Sequence, residues 1–294
     1  MDNVSIDNVL TIISNDVTIL THDFLQQFGA TKIEWLKNNV AVDLFNVQNI
    51  EAIPALIAQL PLDYCLQHLI GQNVEEQNVK ERRKKLLVSD MDSTIIAQEC
   101  IDEIADIAGV GEQVANITKR AMAGEIDFSQ SLIARVALLK GVKISVLEQV
   151  WQERITMQSG AAELVHHMNE AGAFTMLVSG GFTYFTEKVA TKLGFQAHFA
   201  NELLIENDCL TGEVRLPILH QGSKKEILLQ YVAQLRLDIS QIIAVGDGAN
   251  DADMIMAAGL GVAYHAKPYL QGLANCSINH TDLRSLLYFQ GMKL

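Results

Sequence analysis

The sequence predicts an α/β protein: a Rossmann-like, doubly wound parallel sheet with a small helical cap inserted after its first strand, and a small α+β domain before it. From Leu86 onward, apolar runs that end in small or acidic residues alternate with helical segments. A long stretch at 97–158 has little strand character. Buried strands that alternate with helices are typical of a parallel sheet, whose ligands bind at the carboxyl ends of its strands.

The first segment, residues 1–80, is expected to form the small α+β domain. The stretches at 17–30 and 49–60 have helical spacing, whereas "KNNVAVDLFNV" at 37–47 alternates like a strand. None of these stretches carries a group of catalytic residue types. The residues of this segment therefore give no indication of a catalytic function.

A polar stretch at 71–85 is the candidate linker to a second domain that covers 84–294. It contains the one basic cluster of the chain, "KERRKK" at 80–85. We interpret this cluster as a solvated linker, and an anion-binding patch is the alternative.

Four apolar runs predict the strands of the second domain. Helical segments such as "GAAELVHHMNEAG" at 160–172 separate these strands. The cap at 97–158 is predicted to consist of helices, with a break at "AGEID". An insertion of this size is long enough to cover a site. The runs are "LLVSD" at 86–90, "FTMLVSGG" at 174–181, "IIAVGDG" at 242–248 and "GLGVAY" at 259–264.

Composition excludes several classes of protein. The chain has 294 residues, 49% of them hydrophobic, and a net charge of −13, which argues against nucleic-acid binding. The four cysteines are scattered, so neither a disulfide framework nor a zinc site is expected. The acidic N-terminus does not resemble a signal peptide, and no apolar run reaches the about 18 residues of a membrane span. We expect a soluble, cytoplasmic protein with no membrane partner.

Two acids, Asp90 and Asp92, lie one residue apart at the end of the first run. One carboxylate can act as a nucleophile that accepts a phosphoryl group, and a nearby carboxyl can protonate the leaving oxygen and later activate water. Like charges this close raise each other's pKa unless a cation intervenes, and Mg²⁺ suits carboxylate and phosphate oxygens. Solvated loop acids are the alternative for the pair alone.

The second run ends at Ser179-Gly180-Gly181, where a hydroxyl and accessible backbone N–H groups could hold phosphate oxygens. A simple turn explains this stretch equally well. Further along, a lysine near a helix start could neutralise a carboxylate and a transferring phosphoryl group. The residues themselves do not distinguish Lys224 from Lys225 in this role.

The third run is followed by Asp247, which lies between two glycines, and then by Asp251 and Asp253 at a helix start. Carboxylates there could complete a Mg²⁺ site. For Asp251 and Asp253 the favourable interaction with the helix dipole is an alternative explanation, but it does not account for Asp247.

Taken together, these residues resemble the haloacid dehalogenase (HAD) superfamily of aspartate-nucleophile phosphatases. The match is closest to the phosphoserine phosphatase family and extends over 86–294 through "QECIDEIA", "TKRAMAGEIDFSQSL", "VSGGFTYF" and "YHAKP". The superfamily signature is Asp90-Met91-Asp92-Ser93-Thr94, Ser179-Gly180-Gly181, Lys224 and Gly246-Asp247-Gly248-Ala249-Asn250-Asp251.

The resemblance implies a role for each matching residue of the core. Asp90 would be the nucleophile and Asp92 the general acid and then the base. The resemblance favours Lys224 over Lys225, because its distance along the chain from the Gly-Asp-Gly element fits the family. Mg²⁺ would be bound by Asp90, the backbone carbonyl of Asp92 and Asp247, with Asp251 in support. The phosphoryl group and substrate would be held by Ser179, Gly180, Lys224 and Asn250.

The resemblance also implies that substrate specificity comes from the cap. Glu99 would accept the substrate ammonium, and Arg135 would bind its carboxylate with the planar guanidinium that suits such a partner. Met122 and Phe128 would close over the site and exclude water.

The implied function is Mg²⁺-dependent hydrolysis of O-phospho-L-serine, the last step of serine biosynthesis. Residues 1–80 look somewhat like the ACT-type regulatory domains that precede some members, and a dimer-forming module, hence a homodimer, is the alternative. Two other functions stay open: transfer of the phosphoryl group to an alcohol such as homoserine, and amino-acid sensing with a vestigial phosphatase site. The complete set of Asp90, Asp92, Lys224 and Asp247 argues against the sensor.

Overall fold

The fold is that of a computed structural model in which residues 6–70 and 82–294 are described. Its N-terminal part is an antiparallel four-stranded sheet with two short helices on one face. The strands are β1 (Ile6–Ser14), β2 (Lys32–Lys37), β3 (Ala41–Phe45) and β4 (Leu62–Ile70), and the helices are α1 (His22–Gln26) and α2 (Ile53–Ile57).

The strand expected at 37–47 is present as β3, but the helix expected at 17–30 is shorter than its spacing predicts. It begins after Thr21, whose hydroxyl accepts the N–H of Phe24, and the residues before it form a turn. Strand β1 was not predicted because neighbouring residues such as Val9 and Leu10 are both fully buried, which removes the polar–apolar alternation.

The second part contains a parallel sheet whose strands alternate with helices, as the sequence predicted. Each apolar run forms a strand at its expected place. The strands are β5 (Leu86–Ser89), β6 (Phe174–Phe182), β7 (Ala197–Asn201), β10 (Ile242–Gly246), β11 (Leu260–Tyr264) and β12 (Cys276–Ile278); β8 (Leu203–Glu206) and β9 (Cys209–Val214) lie outside this sheet.

Helices cover both faces of this sheet. In β5, Leu87 packs into one hydrophobic cluster while Leu86 and Val88 pack into another on the opposite face, which makes the sheet doubly wound. The helices of the core are α7 (Ala161–Glu170), α8 (Thr183–Leu193), α9 (Gln221–Leu235), α10 (Ala252–Ala257), α11 (Pro268–Gln271) and α12 (Ser285–Tyr288).

Four helices lie between β5 and α7 and form the cap: α3 (Cys100–Ile107), α4 (Gly111–Met122), α5 (Phe128–Ala137) and α6 (Ile144–Glu153). The break at "AGEID" is explained by Asp127, which caps α5 in a reciprocal box with Gln130.

A β-hairpin that the sequence analysis missed packs against these helices. Its strands are β8 (Leu203–Glu206) and β9 (Cys209–Val214). Leu210 exchanges backbone hydrogen bonds with the loop after α5, and a Cβ at Gly212, whose φ is +83°, would lie 2.9 Å from Cβ of Lys140. The cap is therefore built from two separate parts of the chain.

Strand β4 joins the two parts by pairing with β12 through Tyr64 and Ser277, so that all described strands except β8 and β9 form one sheet. Its order is β2-β3-β1-β4-β12-β11-β10-β5-β6-β7. The buried carboxylate of Asp63 strengthens the joint by accepting the N–H groups of Asn279 and Thr281, both at 2.7 Å. No helix within 6–70 or 82–294 has the length and apolar character needed to cross a membrane.

The predicted linker at 71–85 lies mostly outside the described residues, but its last four residues are described. Here the interpretation of "KERRKK" as a solvated linker is wrong, because Arg82 and Lys84 are 1% and 9% exposed. Arg82 forms an ion pair with Asp43 of β3 at 2.6 Å. Arg82 and Lys84 are thus part of the packed structure.

Candidate active site

Several polar side chains meet at the carboxyl edge of the parallel sheet. Asp90 follows β5, Ser179 lies near the end of β6, and Asp247 follows β10. The backbone N–H of Asp90 donates to the carbonyl of Val245 at 3.0 Å, which holds the loops after β5 and β10 together. The sheet therefore brings together the residues that the sequence placed at separate strand ends.

Lys224, in the first turns of α9, reaches this edge and is 2% exposed, whereas Lys225 points to solvent. Its Nζ donates to Oδ1 of Asp90 and to Oδ1 of Asp251, each at 2.6 Å. Burial alone would lower the pKa of Lys224, but the charges of these two carboxylates outweigh burial and raise it. The ammonium stays charged inside the protein.

Three carboxylates gather around this lysine. Carboxylate oxygens of Asp90, Asp247 and Asp251 lie within 4.8 Å of one another. Burial first, and then the charge of Asp251, raise the pKa of Asp90 well above its usual range and that of Asp247 to about 6. The single positive charge of Lys224 does not neutralise three carboxylates. Their oxygens are hard ligands, which fit a divalent cation such as Mg²⁺.

Asp251 and Asp247 differ in how many hydrogen bonds their carboxylate oxygens accept. Both oxygens of Asp251 are occupied, Oδ1 by Lys224 and Oδ2 by the N–H of Gly248 at 3.0 Å. Asp247 accepts only a long hydrogen bond of 3.3 Å, from the hydroxyl of Thr94, among the described side chains. Asp251 is thus suited to support the site, and Asp247 is free to bind an ion.

Asp92 lies next to this group but faces the cap. Its Oδ1 accepts the N–H of Cys100 at 3.0 Å, and its Oδ2 accepts the hydroxyl of Ser179 at 3.1 Å. Burial raises the pKa of Asp92, and the two hydrogen bonds oppose that rise. Gly181 is required here, because a Cβ at that position would lie 2.5 Å from Oδ2 of Asp92. A carboxyl in this setting can hold and release a proton.

A narrow pocket opens beside these groups. Phe128 of the cap covers Gly180, and a Cβ at Gly180 would lie 2.9 Å from Cζ of the ring. The hydroxyl of Ser179 also accepts the N–H of Gly181 at 2.8 Å. The pocket is lined by Phe128, Ser179, Gly180, Leu219, His220, Lys224 and Asn250.

Sequence reasoning missed three residues around this pocket: Asn201, Leu219 and His220. Asn201, at the end of β7, donates to the carbonyl of Gly180 at 2.9 Å and accepts the N–H of Leu219 at 2.8 Å. His220 caps α9 through its Nδ1, which accepts the N–H of Gly222. Asn201 could have been found as a further polar strand end, whereas nothing in the sequence marks Leu219 or His220.

Glu99 and Arg135 of the cap lie near Asp92 and near each other, although neither lines the pocket described above. The hydroxyl of Ser93 donates to Oε1 of Glu99 at 2.8 Å. The carboxylate of Glu99 reaches solvent, but the protein around it and the charge of Asp92 raise its pKa to about 7. Burial lowers the pKa of Arg135, while the charges of Asp102 and Glu99 oppose this. One carboxylate and one guanidinium of the cap therefore lie near Asp92.

Met122 is not brought to the pocket. Its side chain is 66% exposed, and its Sδ lies 3.9 Å from Nζ of Lys267. Of the two apolar cap residues singled out in the sequence, Phe128 alone covers the pocket described above.

The parallel sheet, the helical cap and the cluster of Asp90, Asp247 and Asp251 indicate the class of protein. The sequence pattern of the haloacid dehalogenase-like hydrolases matches residues 84–259. The chain therefore belongs to the haloacid dehalogenase-like hydrolases, and the resemblance found in the sequence is confirmed.

Within this class, the chain is similar to proteins named phosphoserine phosphatase. It is 50% identical over 208 residues to that of Albidiferax ferrireducens, a match that covers 69% of this chain and 88% of the relative. It is 45% identical over 205 residues to that of Archaeoglobus fulgidus, covering 70% of this chain but 59% of the relative.

A solved structure extends the similarity to the N-terminal part. The unliganded probable phosphoserine phosphatase of Vibrio cholerae superposes with a TM-score of 0.79 at 34% identity. The match covers 97% of this chain and 86% of that protein.

Proposed function

We propose that the protein is a phosphoserine phosphatase that hydrolyses O-phospho-L-serine to L-serine and phosphate through an aspartyl-phosphate on Asp90. The observation that carries this proposal is the arrangement of Lys224, Asp90 and Asp92. Lys224 is bound to Oδ1 of Asp90, and the protonatable carboxyl of Asp92 lies two residues further on. The similar proteins named phosphoserine phosphatase support the choice of substrate.

In the first step, a carboxylate oxygen of Asp90 attacks phosphorus, and the bond between phosphorus and the serine oxygen breaks. Asp92 gives its proton to that leaving oxygen, so that L-serine departs as the neutral alcohol. The raised pKa of Asp92 supports a protonated starting form. Lys224 offsets the charge on Asp90 and on the transferring phosphoryl group.

In the second step, Asp92, now a carboxylate, takes a proton from water while the water oxygen attacks phosphorus. The bond between phosphorus and the Asp90 oxygen breaks, which restores the Asp90 carboxylate and releases phosphate. Asp92 ends protonated and ready for the next substrate. The hydroxyl of Ser179 and the N–H of Gly180 would hold phosphoryl oxygens, with Asn250 at the side of the pocket.

The proposed cofactor is Mg²⁺, which would be bound by Asp90, Asp247 and the backbone carbonyl of Asp92, with Asp251 in support. When bound, it would neutralise charge on the phosphoryl oxygens. The raised pKa values of Asp90 and Asp247 support a need for such a cation.

Specificity for an amino acid would come from the cap. Glu99 would bind the substrate ammonium and Arg135 its carboxylate, since a zwitterion requires one anion and one cation. Phe128 covers Gly180 and would exclude water from the pocket. Met122 would contribute only if the cap moved, because its side chain is exposed.

The proposal is tested by product analysis with Mg²⁺ and with EDTA. Phosphoserine should give serine and phosphate in equal amounts with Mg²⁺ only, and phosphothreonine, sugar phosphates and nucleotides should be poorer substrates. The variant Asp90→Asn should lose both turnover and trapped protein-bound phosphate, whereas the exposed matched control Asp23→Asn should retain both. Full activity of Asp90→Asn would refute the mechanism. Less phosphate than serine in the presence of homoserine would favour the phosphotransferase.

The remaining expectations from the sequence stay predictions. These are amino-acid sensing by an N-terminal domain at 1–80, a place in serine biosynthesis, a homodimer and a cytoplasmic location. The pairing of β4 with β12 gives the N-terminal part a direct connection to the catalytic sheet, through which a bound ligand could act.

A further inference from the structure

A second cleft lies at the opposite edge of the sheet from Asp90. It has a volume of about 740 Å³ and is bounded by β4, by the amino ends of β5 and β11, and by the turn at 239–241. This volume is within the range of about 300–1,000 Å³ that is typical of small-molecule sites. Strand β5 begins at this cleft and ends at Asp90, a distance of roughly 13 Å at 3.3 Å per residue.

The cleft, which we call the basic cleft, has an unusual charge for this protein. All four residues of Arg82–Lys85 line it, and no Asp or Glu is among the described residues that do so. Acids outnumber Lys and Arg by 35 to 22 in the whole chain. Among the residues described at this cleft, the charged side chains are therefore all positive, in contrast to the acidic composition of the chain.

One of the four charges is already neutralised. Arg82 donates to Oδ2 of Asp43 at 2.6 Å and to the carbonyl of Phe289 at 3.0 Å, which fixes it within the fold. Arg82 therefore already has partners within the fold, so a ligand would be bound mainly by residues 83–85.

Lys84 is buried without a counter-charge. It is 9% exposed, and its Nζ donates to the backbone carbonyl of Ser240 at 2.7 Å. Within the described residues, no carboxylate lies within 4 Å of Lys84, of half-buried Arg83 or of exposed Lys85. Lysine is rarely buried unless it is paired, because an unpaired charge loses its hydration. Burial lowers the pKa values of both Lys84 and Arg83.

Two amide side chains of the lining add further donors. Oδ1 of Asn275 accepts the N–H of Gly261 at 2.6 Å, and Oε1 of Gln241 accepts the N–H of Asp238 at 3.0 Å. Both oxygens are thus occupied by the backbone, and the NH₂ groups have no acceptor among the described residues. The cleft presents N–H donors and positive charge together, which is the chemistry that binds oxyanions.

We propose that the basic cleft binds a small multivalent anion, a phosphorylated or polycarboxylate metabolite, with Lys84 as the central cation and Arg83 as a planar donor. Its volume, which is within the range of small-molecule sites, favours a small molecule over an acidic peptide or nucleic acid, which would need a longer basic surface. This site is separate from the proposed catalytic centre, and it does not depend on the identity of the substrate there.

The test is calorimetric titration of the full chain, without added metal, with citrate as the probe. We expect citrate to bind and Lys84→Met to weaken its binding at least tenfold, since methionine keeps the length of the side chain and removes its charge. Arg83→Gln, at a half-buried position, gives a second test if Lys84→Met fails to fold. Lys119→Met, which removes an equivalent charge from an exposed position on the cap, is the matched control and should bind citrate as the wild type does.

Phosphate is added in a second series to separate the two sources of anion. Displacement of citrate by phosphate identifies a phosphorylated ligand, and failure to displace it identifies a polycarboxylate. Thermal unfolding is an independent check: citrate should raise the melting temperature of the wild type and not that of Lys84→Met. Absence of binding of both anions at 10 millimolar, or equal weakening in Lys84→Met and Lys119→Met, would overturn the proposal.

Discussion

The ammonium of Lys224 lies 2.6 Å from Oδ1 of Asp90, with both side chains buried. The same ammonium is equally close to Asp251. It is therefore fixed from two sides before any substrate arrives, and its position requires no rearrangement when negative charge develops on a phosphoryl group. Preorganised charge of this kind is the form of catalysis expected to contribute most in a phosphoryl-transfer site.

The first prediction concerns this lysine. We expect Lys224→Met to lower kcat for phosphoserine by about 100-fold to 1,000-fold, because it removes the cation that stabilises the transferring group. Lys225→Met, on the same helix but exposed, should retain the wild-type kcat. Steady-state kinetics on both purified variants, with circular dichroism to verify folding, make the comparison. Equal activity of the two variants would show that the buried lysine has no catalytic part.

Much of the catalytic edge could be predicted from the sequence, because polar residues that follow apolar runs mark strand ends. Asp90, Ser179 and Asp247 were found in this way. The choice between Lys224 and Lys225 could not be made from the residues alone: adjacent helix positions point about 100° apart, and the orientation of the helix is set by its packing.

Other features depended on contacts between distant parts of the chain. The hairpin of β8 and β9 is stabilised by the cap, through the close approach of Gly212 to Lys140, and so it leaves little local signal. The burial of Lys84 likewise depends on contact with a distant residue, Ser240, whereas the local sequence is rich in Lys and Arg, which is typical of an exposed segment.

The second prediction concerns pH. Glu99 has a pKa of about 7, raised above its usual value, so it gains a proton as the pH falls through that value. The neutral form cannot pair with the substrate ammonium, and KM for phosphoserine should rise about tenfold per pH unit below 7. A phosphate ester of 3-hydroxypropionate, which lacks the ammonium, serves as the control and should show a smaller rise. An identical pH profile for both substrates, or for Glu99→Gln and wild type, would contradict the role of Glu99.

The third prediction concerns Arg135. We expect Arg135→Ala to raise KM for phosphoserine about 10-fold to 100-fold, the effect of losing a hydrogen-bonded charge pair with the substrate carboxylate. An aryl phosphate, which has no carboxylate, should be affected far less. Arg120→Ala, exposed on the same cap, is the matched control. If both substrates lost affinity equally, the guanidinium would have no part in recognising an amino acid.

The fourth prediction concerns Gly181. An alanine Cβ would lie 2.5 Å from Oδ2 of Asp92 and 3.1 Å from the hydroxyl of Ser179, so the Asp92 carboxyl must move. A misplaced acid of this kind should lower kcat about 100-fold. Gly272→Ala is the control, since its nearest contacts would be at 3.6 Å and its φ is ordinary. Unchanged kcat in Gly181→Ala would show that the exact position of Asp92 is unimportant.

The fifth prediction concerns the ion pair of Arg82 and Asp43, whose side chains are 1% and 2% exposed. Arg82→Met leaves the carboxylate of Asp43 buried and unpaired, and should lower the free energy of unfolding by about 3–5 kcal/mol. Lys85→Met, three residues away and exposed, should change it by less than about 0.5 kcal/mol. Urea unfolding of both variants gives these values.

A double variant, Arg82→Met with Asp43→Leu, distinguishes two effects on stability. One is the cost of leaving the Asp43 carboxylate unpaired, and the other is the loss of the ion pair as a whole. The double variant removes the unpaired charge, so it should be more stable than Arg82→Met alone. The hydroxyl of Thr11, which donates to Asp43 at 2.6 Å, would lose its acceptor, and recovery should therefore be incomplete. If the double variant were less stable than Arg82→Met, the carboxylate of Asp43 would be stabilised by groups other than Arg82.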